Sequence, residues 1–212
     1  VYGQADMMPI TERAPTKPAE SPYGNTKQIG EEILIDTCKV NPKLNTISLR
    51  YFNPIGAHPS AKIGELPIGV PQNLVPFITQ TAAGIRKELS VFGNDYPTPD
   101  GTCIRDYIHV VDLANAHVIA LTRLFNGKNN YNYETYNVGT GKGSTVLEVF
   151  HSFEKVSGKK VPYKFAPRRK GDVIQAYADT TKANNELGWQ ATSSLDEAMR
   201  SAWKWEQHIR NI

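Results

Sequence analysis

The chain of 212 residues carries 24 Lys and Arg against 21 Asp and Glu, with 40% apolar residues and 16 Gly. That is the composition of one ordinary globular domain or one and a half, long enough to bury about 70% of its unfolded surface without disulfides; it excludes a disordered tail, a collagen-like repeat and a coiled coil. A scattered net charge of +3 argues against nucleic acid as a partner. No apolar run nears the roughly 18 residues that would span a bilayer, so no membrane partner is expected. Cys38 and Cys103 form neither a Cys-X-X-Cys pair nor a metal spacing, which points to a reducing, cytoplasmic compartment.

The chain opens Val1-Tyr2-Gly3, without Met or a signal pattern, and reads as starting inside a larger unit. Residues 1–21 form a Pro-punctuated polar loop. Ser21-Pro22 starts a helix that carries Ile29, Ile33 and Leu34 as a stripe to about Val40, where Asn41-Pro42 stops it. Residues 46–52 alternate and are β-rich, so they form a strand, ended by Asn53-Pro54-Ile55-Gly56. A long Gly- and Pro-rich loop covers 56–71, and its length suggests a functional loop. A helix is expected over 73–86, a short strand over 89–92, a β-like piece over 107–110 and a strongly patterned helix over 111–125 closed by Asn126-Gly127. A strand over 135–139 runs into Gly139-Thr140-Gly141-Lys142-Gly143. Ser144 is then expected to cap a helix to Val156. Residues 161–165 form an edge strand at best, because of Pro162. Two helices, about 180–187 and 195–209, complete an α/β pattern in which helix-then-strand units imply a parallel sheet.

The sharpest site candidate is Tyr23-Gly24-Asn25-Thr26-Lys27. A Tyr and a Lys four apart on a helix share a face, and an ammonium beside a phenol favours the phenolate and so equips it as an acid or base. The competing reading is a chance pair on a solvated face. Arg105 and the run Arg168-Arg169-Lys170 offer planar, permanently charged forks suited to a diphosphate. Their competing readings are a salt bridge from Arg105 to Asp106 or Asp112, and a solvated basic turn. Gly139-Thr140-Gly141-Lys142-Gly143 invites a phosphate-loop reading but lacks the Walker spacing and the third glycine of the dinucleotide fingerprint, so a structural turn is expected. His58, His109 and His117 have no metal spacing, and His117, on the apolar stripe of its helix, reads as a core histidine. Trp189, Trp203 and Trp205 read as packing residues, the last two on an amphipathic C-terminal helix whose alternative reading is a face for a partner.

Taken in order, Val1-Tyr2-Gly3, Tyr23-X-X-X-Lys27, Arg50-Tyr51-Phe52-Asn53-Pro54-Ile55-Gly56-Ala57-His58-Pro59, Val91-Phe92-Gly93-Asn94-Asp95-Tyr96, Asp100 to Val110, Tyr136 to Gly141 and Arg168-Arg169-Lys170-Gly171-Asp172 resemble the extended short-chain dehydrogenase/reductase superfamily. Within it they resemble the UDP-glucose 4-epimerase family, over nearly the whole chain. The resemblance implies the last part of a doubly wound, parallel Rossmann-type sheet (residues 1–56) and a smaller mixed α/β substrate-binding domain (mainly 57–212, with segments returning to the sheet). It implies NAD as cofactor, a UDP-sugar as substrate, and epimerisation at C4 by transient oxidation to a 4-keto sugar, including N-acetylated sugars.

The same resemblance assigns roles. Tyr23 is the acid/base and Lys27 its partner, both also at the cofactor, with Tyr51, Phe52 and Pro54 beside the nicotinamide. Asn53, Asn73 and Leu74 touch the nucleotide sugar, Ser90 and Phe92 line the uracil slot, and Tyr107 belongs to the substrate set. Arg105 and Arg169 clamp the pyrophosphate and Asp172 holds the ribose. Ala176 stands where a bulky gate residue would close the sugar pocket, provided Tyr177 is not the gate. Relatives pair as homodimers through the Tyr23-bearing helix. Leu66, Ile68, Gln72, Cys103 and Ile104 depart from the family pattern. A Gly-rich strand-turn-helix and the family's catalytic Ser or Thr would precede Val1, so the expected state is a fragment that is inactive alone. A sister epimerase for UDP-pentoses or UDP-uronates, a sugar-nucleotide dehydratase, a non-catalytic nucleotide-sugar module and a piece of a mutarotase fusion remain alternatives.

Overall fold

A computed structural model describes residues 1–169 and 171–212; the Lys170 part of the basic run lies outside the described residues. The elements run α1 (Pro22–Val40), β1 (Thr46–Tyr51), β2 (Asn53–Ile55), α2 (Leu74–Ala82), β3 (Leu89–Phe92), β4 (Ile104–Arg105), β5 (Tyr107–His109), α3 (Val110–Phe125), β6 (Tyr133–Val138), β7 (Ser144–Thr145), α4 (Val146–Ser157), β8 (Tyr163–Ala166), β9 (Gln175–Ala176), one π-helical turn (Ala183–Leu187) and α5 (Leu195–Arg210).

Strand pairing is predominantly parallel, as helix-linked strands require. β1 pairs with β6, β2 with β5, β3 with β8 and β4 with β9, all parallel, and only β4 with β7 is antiparallel. Successive side chains of a strand leave on opposite faces, and β1 uses both. Ile47 and Leu49 pack on a cluster built from Leu113, Ala116 and Ala120 of α3 with Ile108, Tyr136, Val138 and Trp189. Arg50 points the other way, to α1, where it makes a bidentate pair with Glu31 at 2.8 and 2.5 Å. A second core joins Val75 and Ile78 of α2, Leu89 and Val91 of β3, Val149, Phe150 and Phe153 of α4, and Ala198, Met199 and Trp203 of α5.

Local chemistry sets the helix ends. Ser21 accepts the Gly24 amide at 3.1 Å with Pro22 in the first turn. Capping boxes start α4 (Thr145 with Glu148) and α5 (Ser194 with Glu197). Gly158 ends α4 in the left-handed region.

Several expectations change. Ser144 does not cap α4: it pairs with Arg105 across β4 and β7, and the neighbouring Thr145 takes the cap. α2 stops at Ala82, before Gly84 at φ +76°, because a left-handed residue cannot continue a helix. Asn53–Ile55, expected to end a strand, is itself a strand, held by parallel pairing to Tyr107–His109. His117 is exposed, its Nδ1 2.9 Å from the Leu113 carbonyl oxygen; the buried histidine is His109, 5% exposed. The α1 stripe also faces outward, with Ile29, Ile33 and Leu34 all exposed.

Candidate functional site

β2, α2, β3, β4 and β5 converge on a cleft of about 400 Å³, a volume within the range of small-molecule sites. β2 contributes Asn53 and Pro54. The start of α2 contributes Asn73 and Leu74, β3 contributes Ser90 and Phe92, β4 and β5 contribute Arg105 and Tyr107, and the turn after β8 contributes Arg169 and Asp172. Ten of the residues singled out in the sequence thus line one wall-to-wall site.

The charges inside it are organised. Arg105 pairs with Asp172, both side chains largely buried, rather than with Asp106 or Asp112. Arg169 lies 4.0 Å over the Phe92 ring, a cation–π contact that holds the guanidinium against the cleft wall. The Asn73 side-chain amide donates to Glu65 at 2.7 Å, so a carboxylate also belongs to this rim. Burial pushes the Tyr107 phenol well above its ordinary range and keeps it a neutral donor. Burial likewise raises the Cys103 thiol, against the opposing pull of Arg105, which keeps it unreactive.

Asp106 is fully buried and shapes the neighbouring loop. Its carboxylate accepts the Thr140 amide at 2.8 Å, the Thr140 hydroxyl at 2.7 Å, the Gly141 amide at 3.2 Å and the Ala178 amide at 3.1 Å. The glycine-rich stretch therefore directs its amides at an internal anion, as the structural-turn reading expects and a phosphate loop does not. A Cβ on Gly139 would stand 2.4 Å from Asp106 Oδ2, which is why that position is glycine. Asp112 has a similar task, accepting from Thr192 and Ser193 ahead of α5.

The remaining candidates lie elsewhere. Tyr23 and Lys27 stand on the first turns of α1, with the ammonium 5.1 Å from the ring centre, and Tyr23 is 70% exposed. Tyr51, exposed at the end of β1, stacks obliquely on His117. Phe52, between β1 and β2, donates its amide to the Val138 carbonyl of β6. These four, with Ala176, do not line the cleft. Ala176 lines a second cavity of about 350 Å³, walled also by residues 3–6, Met8 and Ile10 and sharing Asp172 with the first. Sequence reasoning missed Glu65, Pro71 and Val146 as lining residues. It also missed the Arg105–Asp172 pair, for which a separation of 67 residues leaves no local signal. The loop signalled by its length does reach the cleft through Glu65 and Val70 to Gln72. It is anchored by the Trp205 indole donating to the Glu65 carbonyl at 2.8 Å, so Trp205 is more than packing.

The scaffold is α/β with parallel strand pairs, and two arginines, Arg105 and Arg169, line its cleft. The chain belongs to the GDP-mannose 4,6 dehydratase family, whose model matches residues 1–202. It is 52% identical over 206 residues to a UDP-glucose 4-epimerase of Dictyostelium discoideum, covering 97% of this chain and 59% of that protein. Its fold matches that of the UDP-glucose 4-epimerase from Stenotrophomonas maltophila, crystallised with NAD and formylated UDP-arabinopyranose, at TM-score 0.95 and 48% identity over 100% of this chain and 62% of that one. It also matches that of the enzyme from Bifidobacterium longum, in complex with NAD+ and UDP, at TM-score 0.93 and 45% identity, again over 100% and 62%. The chain thus spans about 60% of the length of the relatives it matches. Among the described residues no helix is long and apolar enough to cross a membrane.

Proposed function

We propose that the cleft binds the uridine diphosphate portion of a UDP-hexose, and that the protein, at the length of its relatives, is an NAD-dependent C4 epimerase. The observation that carries this reading is the convergence of Arg105, Arg169, Asp172, Ser90, Phe92 and Asn73 on one cleft. Two guanidinium forks suit a diphosphate. A carboxylate suits ribose hydroxyls, and Phe92 with Ser90 suits a flat, polar-edged base. Asn53, Asn73, Leu74 and Tyr107 contact the rest of the nucleotide sugar. The two hydrophobic clusters support the division into a sheet part and a substrate part.

The reacting end uses the exposed face of α1. Deprotonated, the Tyr23 phenolic oxygen takes the proton from the sugar 4-hydroxyl and returns it after the keto sugar has turned over, with the Lys27 ammonium against its ring. NAD, when bound, supplies reversible oxidation and ends unchanged. Lys27, Tyr51, Phe52 and Pro54 are the residues of this chain that would hold it. Their chemistry fits, but Tyr23 and Tyr51 face open solvent, so the 212 residues alone should bind UDP without holding NAD or turning over substrate. Ala176, small and beside the second cavity, leaves room for an N-acetyl group. The outward Ile29-Ile33-Leu34 stripe offers a surface for pairing two copies through α1.

Titration calorimetry tests the reading on the isolated chain: UDP should bind and NAD should not. Absence of UDP binding overturns the cleft assignment, and tight NAD binding overturns the split between cleft and cofactor. In the longer protein, Tyr23→Phe should abolish epimerisation while UDP binding survives, and Ala176→Tyr should remove turnover of UDP-N-acetylgalactosamine selectively.

A further inference from the structure

Arg168 and Arg169 are neighbours with separate tasks. β3 and β8 are in register up to the pair Phe92 and Ala166, and the Gly93 amide still reaches the Ala166 carbonyl at 2.8 Å. Beyond that point the two chains part. Arg168 ties them together again: its Nε donates to Asp95 Oδ1 at 2.7 Å and its Nη2 to the Asp95 carbonyl at 2.6 Å. Its guanidinium lies 4.1 Å over the Tyr96 ring. The ring itself is buried, 4% exposed, and the Gly93 backbone packs closely on it, since a Cβ there would stand 2.3 Å from the ring. Arg168, Asp95 and Tyr96 stand outside the lining of the cleft.

One residue on, Arg169 turns into the cleft and covers Phe92 at 4.0 Å. Its carbonyl then accepts the Asp172 amide at 3.2 Å, and Asp172 pairs with Arg105. A single line of contacts therefore runs from the Asp95–Tyr96 turn through Arg168 to Arg169, Asp172 and Arg105 of the cleft. Hydrogen bonding from Arg168 also holds the Asp95 carboxyl below its ordinary range, so the tie keeps its charge under ordinary conditions.

We propose that Arg168 is a positioning residue for nucleotide recognition, fixing the approach of Arg169 and Asp172 to the diphosphate and ribose without touching the ligand. This rests on the cleft being the uridine diphosphate site. Lysine cannot substitute, since it has neither the planar fork nor the stacking face.

The test is a calorimetric titration of the 212-residue chain with UDP, using Arg168→Ala, Arg168→Lys, Arg169→Ala and the Arg168→Ala/Arg169→Ala double variant. Each Arg168 variant should weaken UDP about tenfold, in the range of coupled neighbouring side chains. In the Arg169→Ala background, removing Arg168 should cost about twofold or less. A merely structural loss would not depend on Arg169. Unchanged affinity in Arg168→Ala, full rescue by Arg168→Lys, or losses that multiply independently in the double variant would each overturn the inference. If Arg169→Ala weakens UDP and Arg168→Ala does not, this inference alone falls; if the parent chain fails to bind UDP, the cleft reading falls with it.

Discussion

Asp106 shows how much one buried side chain can decide. It gathers four donors from residues 140, 141 and 178 and so welds the loop after β6 to the segment after β9. Asp106→Asn presents an amide NH2 to amide donors and leaves at least one unsatisfied in a buried site. We expect a loss of about 3 kcal/mol, measured as a lower urea midpoint with an unchanged denaturant slope. His109 is the second such residue. Its Nδ1 accepts the Val111 amide at 3.0 Å and its Nε2 meets Ser201 Oγ at 3.1 Å, and burial lowers its pKa below 6.5, against the pull of Asp112 and Glu197. A histidine depressed on folding is protonated more readily in the unfolded chain. Its contribution is therefore complete above pH 6.5 and is lost as the pH falls from 6.5 toward the lowered folded value. Denaturation between pH 7 and pH 5 should show a smaller loss of stability in His109→Gln than in the parent.

At the scale of elements, helices were legible and very short strands were not. Helix ends depend on residues within a turn of each other: Ser21-Pro22, Gly158 and the Ser194–Glu197 box are all readable locally. Two-residue strands such as Ile104–Arg105 and Gln175–Ala176 carry no pattern, since alternation needs more residues to be seen; tertiary pairing creates them. Their pairing also explains why Ser144 lost the cap to Thr145. Thr145 both caps α4 and hydrogen-bonds the Asp100 carboxylate. Thr145→Ala should cost about 1–2 kcal/mol, seen by circular dichroism melting, whereas Ser144→Ala should change little.

The whole molecule leaves an apolar surface uncovered. On α3, Val118 is 61%, Leu121 54% and Phe125 86% exposed, and together they exceed the scattered single residues normal for a surface. The sheet fragment beside it is two strands wide, β1 on β6. Such a face attracts apolar dyes and promotes self-association. Val118→Lys with Phe125→Glu should lower anilinonaphthalene sulfonate fluorescence and raise the concentration at which the isolated chain associates in sedimentation, while UDP affinity, set in the other core, stays the same.

Sequence by itself determined the α/β class, the Ser21-Pro22 helix start and the Tyr23–Lys27 face, while the family resemblance implied the ten residues that share the cleft. These are properties of residue type and short spacing, and the family motifs that extend them are equally local. Only the tertiary structure decided which charges meet. Arg105 faces Asp172 rather than its neighbour Asp106, because β4 and β9 run in parallel register. His109 is interior and His117 is not, because burial depends on what packs against α3 rather than on its own stripe. The glycine-rich turn holds an aspartate instead of a phosphate, because the Asp106 carboxylate, between β4 and β5, reaches its amides first. Each of these outcomes depends on partners 34 or more residues away along the chain, a distance over which sequence pattern carries no geometry.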